Sequence, residues 1–523
     1  MTQDWRRTLS TAGALGLLAL LQTWWFFNSD FQMAWMYEFS HYADIGRSVS
    51  EGKFHSHFLF PTELAVLENS PYSAPPWPIT FRFPLFGVWV GLFFAILGVS
   101  DASLVVATGT AWALLVSCTY TIGRFLYPAN ARVALGGALL LLCTPVFFRD
   151  FTLWGYADIF FGLLILLHHQ ALIASSPRRM FLVGLLGGLC YLARFNFVLF
   201  TPIVALYLWL RKADRWSLGY FLGLGLVAVG YRLTRPDAAA ELQSSTILAG
   251  NLSQIGQHIP WLDYSPPPKI GPLIVERFWP LMDKGMFNLF QELEWMTRPW
   301  AHFLMVPFAL LAIYRILTRE PRGNLQDWVG LNLGCAAIQV ATFSFLRVEP
   351  LGRYWVWMAP VGLLLAASGV QQALAGLSPR ASRWALNALV VGVAFVTLGQ
   401  LRYTVIPGLM PGWSQAPPQK VEFRQLAQLV PADGLIVSNV GVHAAWYSRR
   451  AAIDLPNSFR ELQAIIARHP VKAVFIVNWP QGELYNRAEW RDLTAQPEWE
   501  KDLAKRLGAR SYEVVRGGVI FLL

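Results

Sequence analysis

Apolar runs close to the roughly 20 residues that cross a hydrocarbon core recur through most of the chain, at 9–28, 103–123, 132–148, 157–174, 180–198, 196–210, 216–232, 300–317, 327–346, 354–376 and 384–401. The fifth and sixth merge around Arg194 and Asn196, where the pattern predicts a tight turn. Together they predict about eleven spans. A further apolar stretch, Pro84 to Gly98, is read as a helix lying in the membrane interface, because a crossing there would reverse every later loop. Beyond Trp413 and Pro417-Pro418 the pattern changes. Leu435-Ile436-Val437-Ser438 and Lys472 to Val477 read as strands, and Ser458 to His469 as a helix with a Ser458/Glu461 capping box. The expected fold is an α-helical polytopic membrane domain over 1–412 followed by an outer-face α/β domain over 413–523. No internal repeat marks either part.

Charge sharpens this picture. Asp, Glu, Lys and Arg make up 14% of the chain, against about 25% in an ordinary soluble domain, and 25 of the 74 charged residues lie in 415–523. The net charge of +10 would suit nucleic acid if it were clustered, but it follows the loops instead. With the N-terminus inside, the short cytoplasmic segments hold 14 basic residues, from Arg6 and Arg7 to Arg380 and Arg383, against Asp4, Asp214, Glu320 and Asp327. The outer loops of the same region carry 14 basic and 17 acidic residues. This bias predicts a multi-pass protein of the inner (plasma) membrane with a cytoplasmic N-terminus and the α/β domain outside. Two outer loops are long, 28–103 and 234–299, and both carry Pro clusters. The first apolar run has no small-residue cleavage site after it, so it reads as a retained span. Cys118, Cys143, Cys190 and Cys335 show no CxxC spacing and read as buried small apolar residues.

No phosphate-binding loop, HExxH, GxSxG or Asp-x-Asp motif is present, which leaves ATP-driven and nucleotide-sugar chemistry without support. Gly184-x-x-x-Gly188 reads as close helix packing. The informative residues are ionisable groups at the outer ends of spans, where a charge is costly without a task. Glu38, His41 and Tyr42 share one helical face, and Tyr42, Ile45 and Val49 form a stripe suited to an interface; a solvated amphipathic helix is the plainer reading. Asp158 opens the fourth span beside Arg149 and Asp150, and a helix cap would explain it equally. Arg82, Arg194, Arg347 and Arg353, the last two flanking Glu349, would suit a phosphate at the membrane surface or anchor lipid headgroups. His55 and His57 have a metal-like spacing but no third ligand nearby, and His168-His169 read as structural.

In their order, these features resemble the GT-C class of membrane glycosyltransferases, particularly the lipid A aminoarabinose transferases, with protein O-mannosyltransferases more distant. The resemblance runs through Tyr42-Ala43-Asp44-Ile45-x-Arg47, Pro75-Pro76, Arg82-Phe83-Pro84, Pro145 to Asp158, Leu192-Ala193-Arg194, Arg353-Tyr354, Ile436-Val437-Ser438 and Ala445-Trp446-Tyr447-Ser448-Arg449-Arg450. It implies a sugar donor linked to polyprenyl phosphate, and a lipid, glycan or protein acceptor outside the membrane. It implies no nucleic-acid partner and no obligatory cofactor, with a divalent metal left open. By position, Glu38 takes the catalytic carboxylate, although the family's Asp-Glu pair here reads Glu38-Phe39; Asp44 and Asp30 are the alternatives. Asp158 takes the second acid. Arg82, Arg194, Arg353 and Tyr354 take the donor phosphate. Such an enzyme would transfer a hexose or pentose, with inversion. A transporter or flippase for a lipid-linked or anionic substrate is the competing reading, although symmetric halves are missing.

Overall fold

The computed structural model describes residues 3–30, 37–80, 82–144, 152, 157–212, 216–234, 260–266, 269–297, 304–318, 323–346, 352–405, 420–477, 488–515 and 517–523. Each of the eleven apolar runs emerges as a helix. In chain order the first helices are α1 (Gln3–Asp30), α2 (Tyr37–Ser50), α3 (Pro61–Leu67), α4 (Pro84–Leu97), α5 (Asp101–Leu126), α6 (Ala131–Leu142), α7 (Ala157–Ala174) and α8 (Met180–Ala193). They are followed by α9 (Phe197–Lys212), α10 (Trp216–Leu233), α11 (Ile270–Glu276), α12 (Phe278–Thr297), α13 (Val306–Thr318), α14 (Asn324–Leu346), α15 (Met358–Ala375) and α16 (Pro379–Val405). Among the described residues, five stretches, Trp5–Asn28, Asp101–Leu126, Ala157–Ala174, Asn324–Phe345 and Met358–Ala375, are long and apolar enough to cross a membrane.

The merged run breaks where the sequence predicts. Helix α8 stops at Ala193, Arg194 takes an extended conformation (φ −156°, ψ 136°), and α9 begins at Phe197. Small residues then let helices touch. A Cβ on Gly184 would collide with the Tyr220 carbonyl of α10, and one on Gly223 with the Phe181 carbonyl of α8. His168 and His169 tie α7 to its neighbours through Tyr220 Oη (3.1 Å) and Asn332 Oδ1 (2.9 Å). Cys190 and Cys335 are buried and Cys118 is partly so, but Cys143 is exposed, which corrects the expectation that all four are buried.

Helix α2 also departs from expectation. Its residues from Glu38 to Ser48 are buried, so it is neither solvated nor lipid-facing. The stripe of Tyr42, Ile45 and Val49 lies against α4, because Gly87 makes room for Ile45, Gly91 for Val49 and Gly46 for Val90. The Tyr42 ring meets Phe86 edge-on at 4.9 Å. On its other side α4 exposes Leu92, Ile96 and Leu97.

A six-stranded sheet has the order β2-β5-β4-β6-β8-β7, with β2 (Phe58–Leu59), β4 (Leu435–Ser438), β5 (Ala451–Asp454) and β6 (Val471–Val477) parallel, and β7 (Ser511–Val515) and β8 (Gly518–Leu522) antiparallel at one edge. Alternate residues feed two cores: Leu435, Val437, Ile453 and Val474 on one face, Ile436, Ala452, Ala473 and Phe475 on the other. Helix α17 (Lys420–Leu429) precedes β4, and α18 (Gly441–Ser448) connects β4 to β5. Helix α19 (Phe459–Arg468) starts with the Ser458/Glu461 capping box. The far edge strand, β2 (Phe58–Leu59), comes from the first long loop and pairs parallel with β5. The sheet is therefore completed by the N-terminal half of the chain. Trp446 of α18 stacks on Phe94 at 5.7 Å and donates to Asp101 Oδ1 (3.2 Å), pinning the sheet to α4 and α5. The second loop joins through Tyr264, whose backbone N–H donates to Glu461 and whose side chain meets Glu68 and His469. The expected boundary near 413 lies outside the described residues.

Candidate active site

Four helix ends bring charged groups to a single place, and one short turn adds an aromatic ring. Glu38 lies in the first turn of α2, Asp158 in the first turn of α7, Arg194 at the C-terminal cap of α8, and Arg82 just before α4. Helix dipoles favour three of the four, the two carboxylates at N-termini and the Arg194 guanidinium at a C-terminus, while Arg82, at the N-terminal side of α4, is held by Glu38 instead. Arg82 donates to Glu38 Oε1 at 2.7 Å. Arg194 Nη2 donates to Asp158 Oδ2 at 2.9 Å and to Glu38 Oε2 at 3.3 Å. The Arg194 guanidinium also lies 4.8 Å over the Tyr354 ring, which is carried by the turn Gly352–Trp355. Tyr354 is held in turn by its carbonyl, which accepts from Gln339 at 3.0 Å.

The carboxylates are 6% and 2% exposed and the guanidinium side chains 13% and 11%, so two positive and two negative charges share one dry site. Burying four charges costs several kcal/mol per ion, which geometry repays only in part, so such a cluster is poorly explained as a source of stability. Burial raises the Tyr42 phenol beneath Arg82 to about 12, keeping it neutral.

Asp44 stands apart from this group. Six residues along α2 carry it to another face of the helix, about 9 Å along its axis. There it accepts from Arg47 (2.5 Å), Ser56 Oγ (3.1 Å), the His57 backbone N–H (2.7 Å) and His57 Nδ1 (3.1 Å). Arg47 passes the link on to the Trp446 carbonyl at 3.1 Å. Asp44 thus joins α2 to β1 (His55–Ser56) and, through Arg47, to α18. Burial pushes its carboxyl up, but Arg47 and the His57 donors outweigh that and hold it well below the usual carboxylate range. The stabilisation is complete above the unfolded carboxyl's value, about 4, and is lost as pH falls from there towards the depressed folded value. Asp44→Asn should therefore flatten the dependence of thermal stability on acid below about pH 5; an unchanged profile would show that the link carries no stability.

Of the residues singled out in the sequence, Glu38, Asp158, Arg82, Arg194 and Tyr354 come together and Asp44 does not. Arg353 lies in the same turn as Tyr354, but its side chain is outside the described residues, as are the side chains of Asp30, Arg149, Asp150, Arg347 and Glu349. Among the described residues no group of three or more His, Cys, Asp or Glu is arranged to hold a metal. Both cluster carboxylates already take guanidinium donors, so this donor set does not fit a divalent ion and no step is assigned to one. Sequence assigns no role to Ser56, and none to Arg47 beyond its place in a motif, because both roles depend on tertiary partners.

No protein-family model matches the sequence, nor does any curated protein. Solved structures do match. ArnT from Cupriavidus metallidurans bound to undecaprenyl phosphate aligns over 100% of this chain and 98% of its own, at 14% identity and a TM-score of 0.54. The apo state of the same protein covers 97% of each chain with the same identity and score. The Archaeoglobus fulgidus oligosaccharyltransferase in its apo form covers 94% of this chain and 71% of its own, at 14% identity and a TM-score of 0.56. From end to end, then, the chain is folded like the GT-C membrane glycosyltransferases.

Proposed function

We propose that this chain is a multi-pass membrane glycosyltransferase moving a sugar from a polyprenyl-phosphate donor to an acceptor hydroxyl at the outer face of the plasma membrane. The observation that carries the reading is the buried, charge-balanced cluster of Glu38, Asp158, Arg82 and Arg194 at or beside the ends of four helices. The undecaprenyl phosphate bound to the Cupriavidus protein supports the donor class.

The chemistry needs few parts. The donor phosphate competes with the carboxylates for the two guanidiniums, which bind it bidentately. Glu38, released from part of its pairing, accepts the proton of the attacking hydroxyl. The acceptor oxygen forms its bond to the anomeric carbon as the bond to phosphate oxygen breaks; the electron pair leaves with the phosphate, and Arg82, Arg194 and Arg353 stabilise its growing charge. Attack opposite the leaving group inverts the anomeric centre. Asp158 holds Arg194 in place and can orient the acceptor. The sugar is a hexose or pentose, and the acceptor a lipid, glycan or protein.

The orientation is part of the same proposal. Asp158 opens α7 and Arg194 caps α8, and their meeting at 2.9 Å supports a path that crosses on α7 and returns on α8. Fourteen basic residues in the short loops support a cytoplasmic opposite side, and the pairing of β2 from the first loop with the sheet supports a sheet on the same side as the cluster.

The test is direct. Purified chain in lipid nanodiscs, given polyprenyl-phosphate sugars, should release polyprenyl phosphate and transfer the sugar. Arg353→Ala should weaken donor binding by about 10-fold or more, the loss of one charge-assisted contact. Binding without any transfer would favour the transporter reading, and unaltered donor affinity in the variant would remove Arg353 from the phosphate site.

A further inference from the structure

His41 occupies the ground between the Glu38 cluster and the Asp44 link. It follows Glu38 by one turn of α2, is buried, and meets the Phe58 ring edge-on at 5.1 Å. Its two nitrogens have different surroundings. Nε2 lies 3.3 Å from Ser56 Oγ. Nδ1 is also buried and has no hydrogen-bond partner.

The hydrogens around Ser56 decide which nitrogen carries the proton. Ser56 Oγ has a single hydrogen to give, and the ionised Asp44 carboxylate, 3.1 Å away, is a stronger acceptor than the Phe58 carbonyl at 3.0 Å. The Phe58 N–H donates to the same oxygen at 3.0 Å. The remaining lone pair of Ser56 therefore receives the Nε2 hydrogen of His41. Burial, together with the Arg82 charge, holds the imidazole down at about 3, so the ring stays neutral. Nδ1 is left as a bare acceptor, and burying an unmet acceptor is costly.

We propose that His41 Nδ1 accepts a hydrogen bond from a hydroxyl of the substrate, which makes it a binding residue of the transfer site. The inference rests on the transferase reading. Sugars present such hydroxyls at every ring carbon and acceptors present the attacking one, whereas a phosphate diester has none to give. Asp44 and Ser56 become positioning residues, since they hold the tautomer that leaves Nδ1 bare.

Asparagine and glutamine separate the two nitrogens, because the shorter amide places its oxygen near Nδ1 and the longer one reaches Ser56. With the full chain in nanodiscs and a polyprenyl-phosphate sugar as donor, His41→Gln should lose about 10- to 100-fold in kcat/KM, the cost of one hydrogen bond to an unmet group. His41→Asn should keep most of it. Both variants should bind sugar-free polyprenyl phosphate as the wild type does. A raised KM for the donor in His41→Gln assigns the hydroxyl to the donor sugar, and a raised KM for the acceptor alone assigns it to the acceptor. Equal kcat/KM in His41→Gln and wild type overturns the proposal. So does a larger loss in His41→Asn, which would mean that the Ser56 contact is what matters. Absence of transfer by the wild type overturns the transferase reading, and this inference with it.

Discussion

Glu38→Gln should abolish transfer while tightening the hold on polyprenyl phosphate. A general base contributes about 10²- to 10⁴-fold to the rate of a proton transfer, and Gln cannot take the proton. The same substitution turns the neutral cluster into one with an excess positive charge, because Arg82 and Arg194 keep both guanidiniums while one carboxylate is lost. A phosphate entering the site then meets less competition. The amide oxygen still accepts from Arg82, so the fold should survive. The two effects point in opposite directions, whereas a merely misfolded variant would lose binding along with transfer. Single-turnover transfer and equilibrium binding of polyprenyl phosphate, measured on one preparation, check both. Near-normal transfer would take the base role from Glu38 and pass it to Asp158, the other carboxylate on Arg194.

Most helices of this fold are legible in sequence because hydrocarbon forces the issue: backbone groups there must bond within their own segment, so an apolar run becomes a helix. The turn at Arg194 is legible for the related reason that a charge and an Asn in the middle of an apolar run have to reach its end. The strands Leu435–Ser438 and Val471–Val477 and the Ser458 cap follow from local pattern. Phe58–Leu59 is too short to show any period, so its place at the edge of the C-terminal sheet could not be read. Nor could the docking of Trp446 on Phe94, which sequence separates by hundreds of residues.

The site was legible as a set of chemical types more than as a set of contacts. Asp158, Arg82 and Arg194 stand out because they border apolar helices on the side away from the short basic loops, and Glu38 because it shares a helical face with His41 and Tyr42. Spacing places Glu38 and Asp44 on one helix, but it does not reveal that α4 covers one face of that helix and α18 another. With both faces covered, the two acids of α2 meet different arginines. Periodicity identifies the amphipathic face; which surface fills it is a tertiary fact, set here by Gly46, Gly87 and Gly91.

Arg194 is the residue whose loss should do the most damage, because it is the bridge between both acids. Arg194→Ala would leave Glu38 with Arg82 alone and Asp158 without its 2.9 Å partner, in a site where both carboxylates are nearly dry. Removing one member of a buried ionic group costs about 3–5 kcal/mol, so thermal unfolding in nanodiscs should shift down and donor binding should vanish together. Lysine should not rescue it. One ammonium cannot fork to two carboxylates and also lie flat over the Tyr354 ring. Stability and function can still be told apart. The double variant Arg194→Met with Asp158→Leu removes the uncompensated charge along with its partner, and replacing a buried pair by apolar side chains is often neutral or stabilising. It should recover much of the lost unfolding temperature and none of the transfer. Recovery of both would mean that the cluster is structural and that the donor phosphate is bound elsewhere. Recovery of stability alone would show four charges kept in the membrane protein's interior for what they bind.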